Sequence, residues 1–333
     1  MKLISIFGPT ATGKTQLALN KAQELMESGE YKGVNLISAD SRQVYRGLEI
    51  ISGADIPKEF QALSQDILKA QAMSGLGLFP IYKHSSQPIF LHGVSVLDLT
   101  SDWSLAHFIV FAKKIISWSQ AHQFAVIVVG GTGLYHKHLL ANLGLSAQKN
   151  LTKSRDIFIK PNPKIRQVAE TMKTVELIEW LKKIDLSKYQ SMNDSDRQNP
   201  RRLVRAIEIG LAKAKKNIKP DFSNDQQQVL INSDQVEIIQ QMPQDLDDLK
   251  TKIMARVKQR LQAGAIDEVK KCLKLNLDFQ SQVMTTLGVP EISQFLTGKI
   301  SKTELIELWT LHELQYAKRQ ITWLKKTSIN NSH

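Results

Sequence analysis

The 333-residue sequence predicts an α/β fold, with a parallel sheet flanked by helices and a smaller helical insertion. Three observations predict it. Short apolar runs alternate with amphipathic helical stretches, as parallel strands and their crossovers do. Several runs end on Gly or Asp, where ligands of open α/β sheets sit. From about residue 146 the strand signal fades and a Lys-rich, helically periodic segment takes over.

In chain order, residues 3–7 (LISIF) read as the first strand, followed by a Gly-rich turn and a helix over 15–28. Residues 34–38 form a second strand ending at Ala39-Asp40, and 94–99 a third candidate carrying Asp98. The fourth, 125–129, runs into Gly130-Gly131-Thr132-Gly133 and a helix over 134–140. Helical periodicity then covers 164–183 and 200–216, and 217–232 reads as a polar loop with a short strand at 229–231. Residues 246–275 and 302–326 read as long amphipathic helices. This organisation gives a core of residues 1–145 and 196–333, with a basic helical insertion over 146–195.

An apolar content of 42% suffices for a substantial core. No stretch approaches the roughly 18–20 apolar residues of a membrane span, and the first apolar run is too short for a signal peptide. A cytoplasmic protein is expected. The single cysteine, Cys272, excludes an internal disulfide and a cysteine-based zinc site, and reads as a small buried helix residue. Charge is unevenly spread. Residues 149–220 hold 18 Lys and Arg against 8 Asp and Glu, which accounts for +10 of the net +12. Such a block is the footprint expected for a polyanionic partner, and also what a solvated Lys-rich helical surface would show.

Gly8-Pro9-Thr10-Ala11-Thr12-Gly13-Lys14-Thr15 matches G-x-x-x-x-G-K-[ST] between a strand and a helix. Its glycines let backbone N–H groups turn inward into an anion nest, and the helix N-terminus adds positive potential. Lys14 supplies a point charge, and the Thr15 hydroxyl suits a Mg²⁺ ligand. The core is therefore P-loop NTPase-like. Such a loop does not specify a nucleoside triphosphate: ATP or anything else carrying a diphosphate would fit it. Asp40, heading Asp40-Ser41-Arg42-Gln43, is placed to ligate Mg²⁺ or act as a general base, or else to cap a helix. Asp98 and His92 read as structural. The Gly130–Gly133 turn allows close backbone approach, with the Thr132 hydroxyl toward the same cleft.

Taken together, GPTATGKT (8–15), DSRQVYRG (40–47), VVGGTGLY (128–135), NPRRLVRAIEI (199–209), RVKQRLQAGAIDEV (256–269) and QYAKRQITWLK (315–325) resemble the tRNA dimethylallyltransferases of bacterial type. The resemblance covers nearly the whole chain. It implies transfer of a dimethylallyl group from dimethylallyl diphosphate to the N6 amine of the adenosine 3′ of the anticodon in tRNA, by a monomer using Mg²⁺. It implies that Asp40 is the base, that Arg256 contacts the diphosphate, and that Thr132 joins them. Asp40, Ser41, Arg42 and Gln43 would grip the flipped base, with Thr132, Arg166 and the stretch Arg201, Arg202, Leu203, Val204 and Arg205 on the tRNA. The chain departs from the family pattern at 52–57, at Gly288-Val289-Pro290 in place of Gly-Tyr-Lys, and at Glu313-Leu314 in place of Thr-Arg. Rival readings are an adenylate isopentenyltransferase acting on free AMP, ADP or ATP, a P-loop small-molecule kinase, and a non-catalytic RNA-binding protein. A mononucleotide acceptor does not need the basic middle segment, which weighs against the first.

Overall fold

A computed structural model describes residues 1–54, 56–70, 73–76, 78–145, 156–214, 231–279 and 281–326. The chain forms two compact units, Met1–Ala147 with Val229–His333, and Gln148–Gln228. The second unit thus extends past residue 195, where the sequence places the return to the core. Its helix α10 (Pro200–Ala214) packs on α7 (Thr174–Ile184) and belongs to its core. The exact start of the insertion, the loop over 217–230 and residues 229–230 of the expected short strand lie outside the described residues.

The first unit is built on a seven-stranded sheet in the order β3-β4-β5-β2-β6-β1-β7. Its parallel part comprises β1 (Leu3–Phe7), β2 (Gly33–Ser38), β5 (Ile89–His92), β6 (Phe124–Gly130) and β7 (Val236–Gln240). The short β3 (Phe60–Ala62) and β4 (Tyr82–His84) extend it antiparallel at one edge, which the sequence reading did not foresee. Side-chain alternation divides the sheet into two faces. Ile4, Ile6, Val34, Leu36, Ala125 and Ile127 pack on Ala18 and Ala22 of α1 (Lys14–Glu27). From the opposite face Asn35 donates to Ser119 of α4 (Leu105–His122) at 2.8 Å, and Ser5 bonds His136 of α5 (Gly133–Asn142) at 2.8 Å.

Three expectations are corrected. The third strand is β5, not 94–99. Gly93 (φ +79°) and Ser95 (φ 52°) are left-handed, so no extended strand passes through them. Only Leu97 bridges, to Tyr45. Asp98 then sits on the surface, 3.3 Å from Arg46, and His92 is buried, bonded to Asn35 at 2.9 Å. The expected helix 246–275 breaks at Gly264 (φ +107°) into α11 (Leu246–Ala263) and α12 (Ala265–Leu273). The expected helix 164–183 breaks between α6 (Pro163–Glu170) and α7, where the Glu176 carboxylate caps the Lys173 N–H at 2.6 Å. Helix α14 (Lys302–Lys326) runs unbroken, as its periodicity predicts.

The second unit's described helices also include α8 (Leu186–Ser191) and α9 (Asp194–Arg197). Its core joins Leu177, Leu181, Met192, Leu203, Ala206 and Ile207. Beside this core, buried Glu208 accepts from Arg166 Nε at 2.9 Å, Arg205 Nη1 at 3.1 Å and the Asn162 N–H at 2.9 Å. Three donors satisfy a carboxylate that burial would otherwise penalise heavily. Truncating Leu203, which is 0% exposed, is expected to matter. Leu203→Ala should cost about 2–5 kcal/mol of stability in denaturant unfolding. A loss below a few tenths would disprove this packing.

Candidate functional site

A cleft of about 700 Å³ opens in the first unit at the C-terminal ends of β1, β2 and β6. Its floor follows from β1 turning directly into α1. Ala11 (φ 60°) and Gly13 (φ 79°) are both left-handed, and Gly13 heads α1 with no side-chain cap. The first helical N–H groups therefore have no side-chain oxygen on them, which is what an anion site requires. Gly8 is glycine for a steric reason: a Cβ there would lie 2.0 Å from the Gln241 carbonyl oxygen. Within the loop, Thr12 Oγ1 donates to the Pro9 carbonyl at 2.9 Å, and Lys14 Nζ curls onto the same oxygen. Burial lowers the Lys14 ammonium from 10.5 to about 8; Asp40 opposes this and Arg256 adds to it. Thr15 is exposed at the cleft wall.

Asp40 follows β2 directly. Its Oδ1 accepts the Arg42 N–H at 2.8 Å in a local turn, and the next helix, α2 (Glu49–Ser52), starts only later. It is not a helix cap. Its Oδ2 lies 3.8 Å from where a Cβ on Gly131 would stand. Ser41, Arg42 and Gln43 line the same cleft. Arg42 Nη1 donates to the Gln282 carbonyl at 2.6 Å, and Nη2 to Thr285 Oγ1 at 3.4 Å. The Gln43 amide accepts from Ser38 Oγ at 2.8 Å and donates to the Gly53 carbonyl at 2.9 Å.

Gly130 and Gly131 complete the wall. A Cβ on Gly130 would meet the Ala39 carbonyl at 2.3 Å, so only glycine lets β6 approach the segment carrying Asp40. Thr132 donates its N–H to the Ala39 carbonyl at 3.2 Å and heads α5, beside the cleft rather than among its lining residues. Arg256, from α11, donates to Thr10 Oγ1 at 3.4 Å. The loop, Asp40 and Arg256 thus come together from three distant stretches of chain.

Sequence reading missed the contribution of α14 and Arg260. Gln320 accepts the Thr10 N–H at 3.2 Å and donates to the Gly131 carbonyl at 2.7 Å, tying the phosphate loop to the double-glycine turn. Tyr316 also lines the cleft, its phenol pushed up to about 12 by burial and then by Asp40. Both lie within QYAKRQ, so that motif was the available signal. Among the lining residues, Lys14, Arg42, Lys252, Arg256, Arg260 and Arg319 are cationic, against the carboxylates of Asp40 and Glu313. The surplus favours an anionic ligand.

The remaining expected contacts belong to the second unit. Arg201 and Arg202 are exposed on α10, with Arg202 paired to Asp196. Arg166 and Arg205 are held by Glu208, and Arg205 Nη2 also donates to the Ile159 carbonyl at 2.6 Å. Val204 is half-buried. Leu203 is a correction: it lies wholly inside the core and cannot touch an RNA.

Comparison with known proteins adds family context. Residues 81–327 match the IPP transferase family model, and residues 1–79 match isopentenyl transferase. The chain is 30% identical to a tRNA dimethylallyltransferase of Clostridioides difficile, over 97% of this chain and 88% of that protein. It is 31% identical to one of Rhizobium etli, over 97% and 93% respectively. The crystal structure of a tRNA isopentenylpyrophosphate transferase from Bacillus halodurans superposes with a TM-score of 0.56 at 26% identity, covering 98% of this chain and 88% of that one.

An anion on the loop favours charged Lys14, so the bound ammonium titrates above the free one. Affinity for inorganic diphosphate should therefore fall as pH rises past about 8, where the free ammonium is lost. Calorimetric titrations from about pH 7 to 10, with Lys14→Met as the baseline for the ligand's own ionisation, check this. Parallel wild-type and variant curves would mean that Lys14 is not at the anion.

Proposed function

The chain belongs to the tRNA dimethylallyltransferase (IPP transferase) family, and on that premise we propose that its cleft transfers a dimethylallyl group from dimethylallyl diphosphate to an adenosine N6 amine in tRNA. The acceptor is the adenosine 3′ of the anticodon. One observation carries the reading: Asp40, Lys14 and Arg256 line a single cavity large enough for a small donor and a base.

The donor's diphosphate lies on the amides of the Gly8–Thr15 loop and on Lys14, with Arg256 alongside. Asp40 accepts a proton from the N6 amine as that nitrogen bonds to the allylic carbon. The carbon–oxygen bond breaks and its electron pair leaves with diphosphate, whose growing charge the loop, Lys14 and Arg256 stabilise. An adenine amine is a poor nucleophile, so a base and a stabilised leaving group are both needed. The acceptor must leave its stack to reach the cleft, where Arg42, Gln43 and Tyr316 offer it surfaces. Thr132 stands beside that entrance as a further tRNA contact.

No group of three or more His, Cys, Asp or Glu among the described residues forms a metal cage. Mg²⁺ nonetheless fits, because it commonly takes one or two protein oxygens plus substrate phosphates and waters. Thr15 would hold it, and when bound it offsets diphosphate charge. The basic second unit suits the tRNA backbone, with Arg201 and Arg202 exposed on one helix as phosphate contacts that position the RNA.

Transfer is tested with labelled dimethylallyl diphosphate, Mg²⁺ and unmodified tRNA, with AMP as the parallel acceptor. Label is expected in tRNA; label in AMP alone would overturn the assignment. Asp40→Asn should lower kcat by about 10²–10⁴ while tRNA affinity stays within a few-fold. Unchanged turnover would remove Asp40 from the base role. Arg202→Ala should weaken tRNA binding and flatten its steep salt dependence by about one phosphate contact. Arg205→Ala should instead lower stability, since it leaves buried Glu208 short of a donor.

A further inference from the structure

One pair of charges in the cleft joins Arg260, inside the 256–269 motif, to Glu313, which lies outside the motifs. Arg260 follows Arg256 by one helical turn on α11, so both side chains leave the same face. It is 8% exposed, and its Nη1 donates to Glu313 Oε1 on α14 at 2.8 Å. Glu313, itself 7% exposed, stands at one of the departures from the family pattern. Gly53, closing α2 in a left-handed conformation (φ 63°), marks where the two arginines meet. A Cβ there would lie 2.4 Å from Arg260 Nη2 and 2.8 Å from Arg256 Nη2. Two guanidinium nitrogens from different residues therefore converge on one point, and both residues line the cleft together with Lys14.

Like charges brought this close repel. A buried Arg–Glu pair is, moreover, about neutral for stability against apolar residues of the same volume. A tie between α11 and α14 therefore does not need these charges. Convergent guanidinium nitrogens beside a phosphate loop do match one chemistry, the fork-like recognition of phosphate oxygens.

We propose that Arg260 is a second guanidinium for the donor's diphosphate, and that Glu313 is a stand-in anion with which the phosphate competes. The inference rests on the donor site described under Proposed function. In the donor-free cleft Glu313 holds Arg260 aligned and partly neutralised. Donor binding engages Arg256 and Arg260 together around Gly53. When diphosphate departs, Glu313 recovers Arg260, which favours product release.

The test is calorimetric titration of Mg²⁺ and inorganic diphosphate into wild-type protein and three variants, with dimethylallyl transfer to tRNA and tRNA affinity measured alongside. Arg260→Met should weaken diphosphate binding about tenfold to a hundredfold and leave tRNA affinity unchanged. Glu313→Gln should tighten diphosphate binding, because a competing carboxylate is gone; a purely structural pair predicts no gain. Arg260→Met leaves Glu313 buried and unpaired, so the double variant Arg260→Met with Glu313→Met guards against misfolding. It should keep the wild-type melting temperature and still bind diphosphate weakly. If wild type neither binds diphosphate nor transfers the dimethylallyl group, the donor site itself is wrong. If wild type does both and the Arg260 variants bind diphosphate as tightly, only the second-guanidinium inference fails. Weaker binding by Glu313→Gln would overturn the stand-in role.

Discussion

The site depends on how closely backbones approach at the C-terminal ends of neighbouring strands. Gly8 at the end of β1 lies against the Gln241 carbonyl beyond β7, and Gly130 at the end of β6 lies against Ala39 beyond β2. Neither contact leaves room for a Cβ. The first sets the phosphate loop against the sheet edge, and the second brings the segment carrying Asp40 beside the double-glycine turn. Gln320, donating and accepting across these two loops, locks their separation. A nest of amides and a carboxylate on different strands thereby share one cavity, as ligands of open α/β sheets require.

Electrostatics decides what that cavity accepts. Desolvation makes the uncharged form of Lys14 easier to reach, and the cations around it leave the cleft attractive to a polyphosphate. The protein offsets part of this before any ligand arrives: Lys14 rests on the Pro9 carbonyl and Arg260 on Glu313. Such internal partners let buried charges persist in a cleft without an anion, since the alternative is an uncompensated desolvation cost. The second unit solves the same problem differently. Glu208 gathers Arg166 and Arg205, and Asp196 pairs with Arg202, so carboxylates offset part of the charge even where Arg166 and Arg202 stay exposed. A count of basic residues therefore overstates the positive surface open to a partner.

Sequence alone determined the first strand, the phosphate loop, the first helix, Asp40 at the end of β2 and the unbroken α14. Each is a local signal: a hydrophobic period, or glycines at fixed spacing, whose physics is complete within a few residues. The six ordered motifs likewise carried the family. Local signals failed where backbone conformation overrode apolar content. The run 94–99 looks extended, yet left-handed residues at 93 and 95 turn it, and Gly264 divides what periodicity presents as one helix. β7 escaped notice because Val-Glu-Ile-Ile-Gln, half-buried throughout, lacks the continuous apolar run that marks a central parallel strand.

Only the tertiary structure decided which residues meet. The sequence separation between Thr10, Gly131, Arg256 and Gln320 carries no information about their contact; the sheet order and the packing of α11 and α14 bring them together. The same holds for Leu203, which lies in a motif beside exposed arginines but points into a core, and for Arg260, whose role is visible only against Gly53 and Glu313. Periodicity and motif spacing report what a residue can do. Long-range packing alone settles what stands next to it.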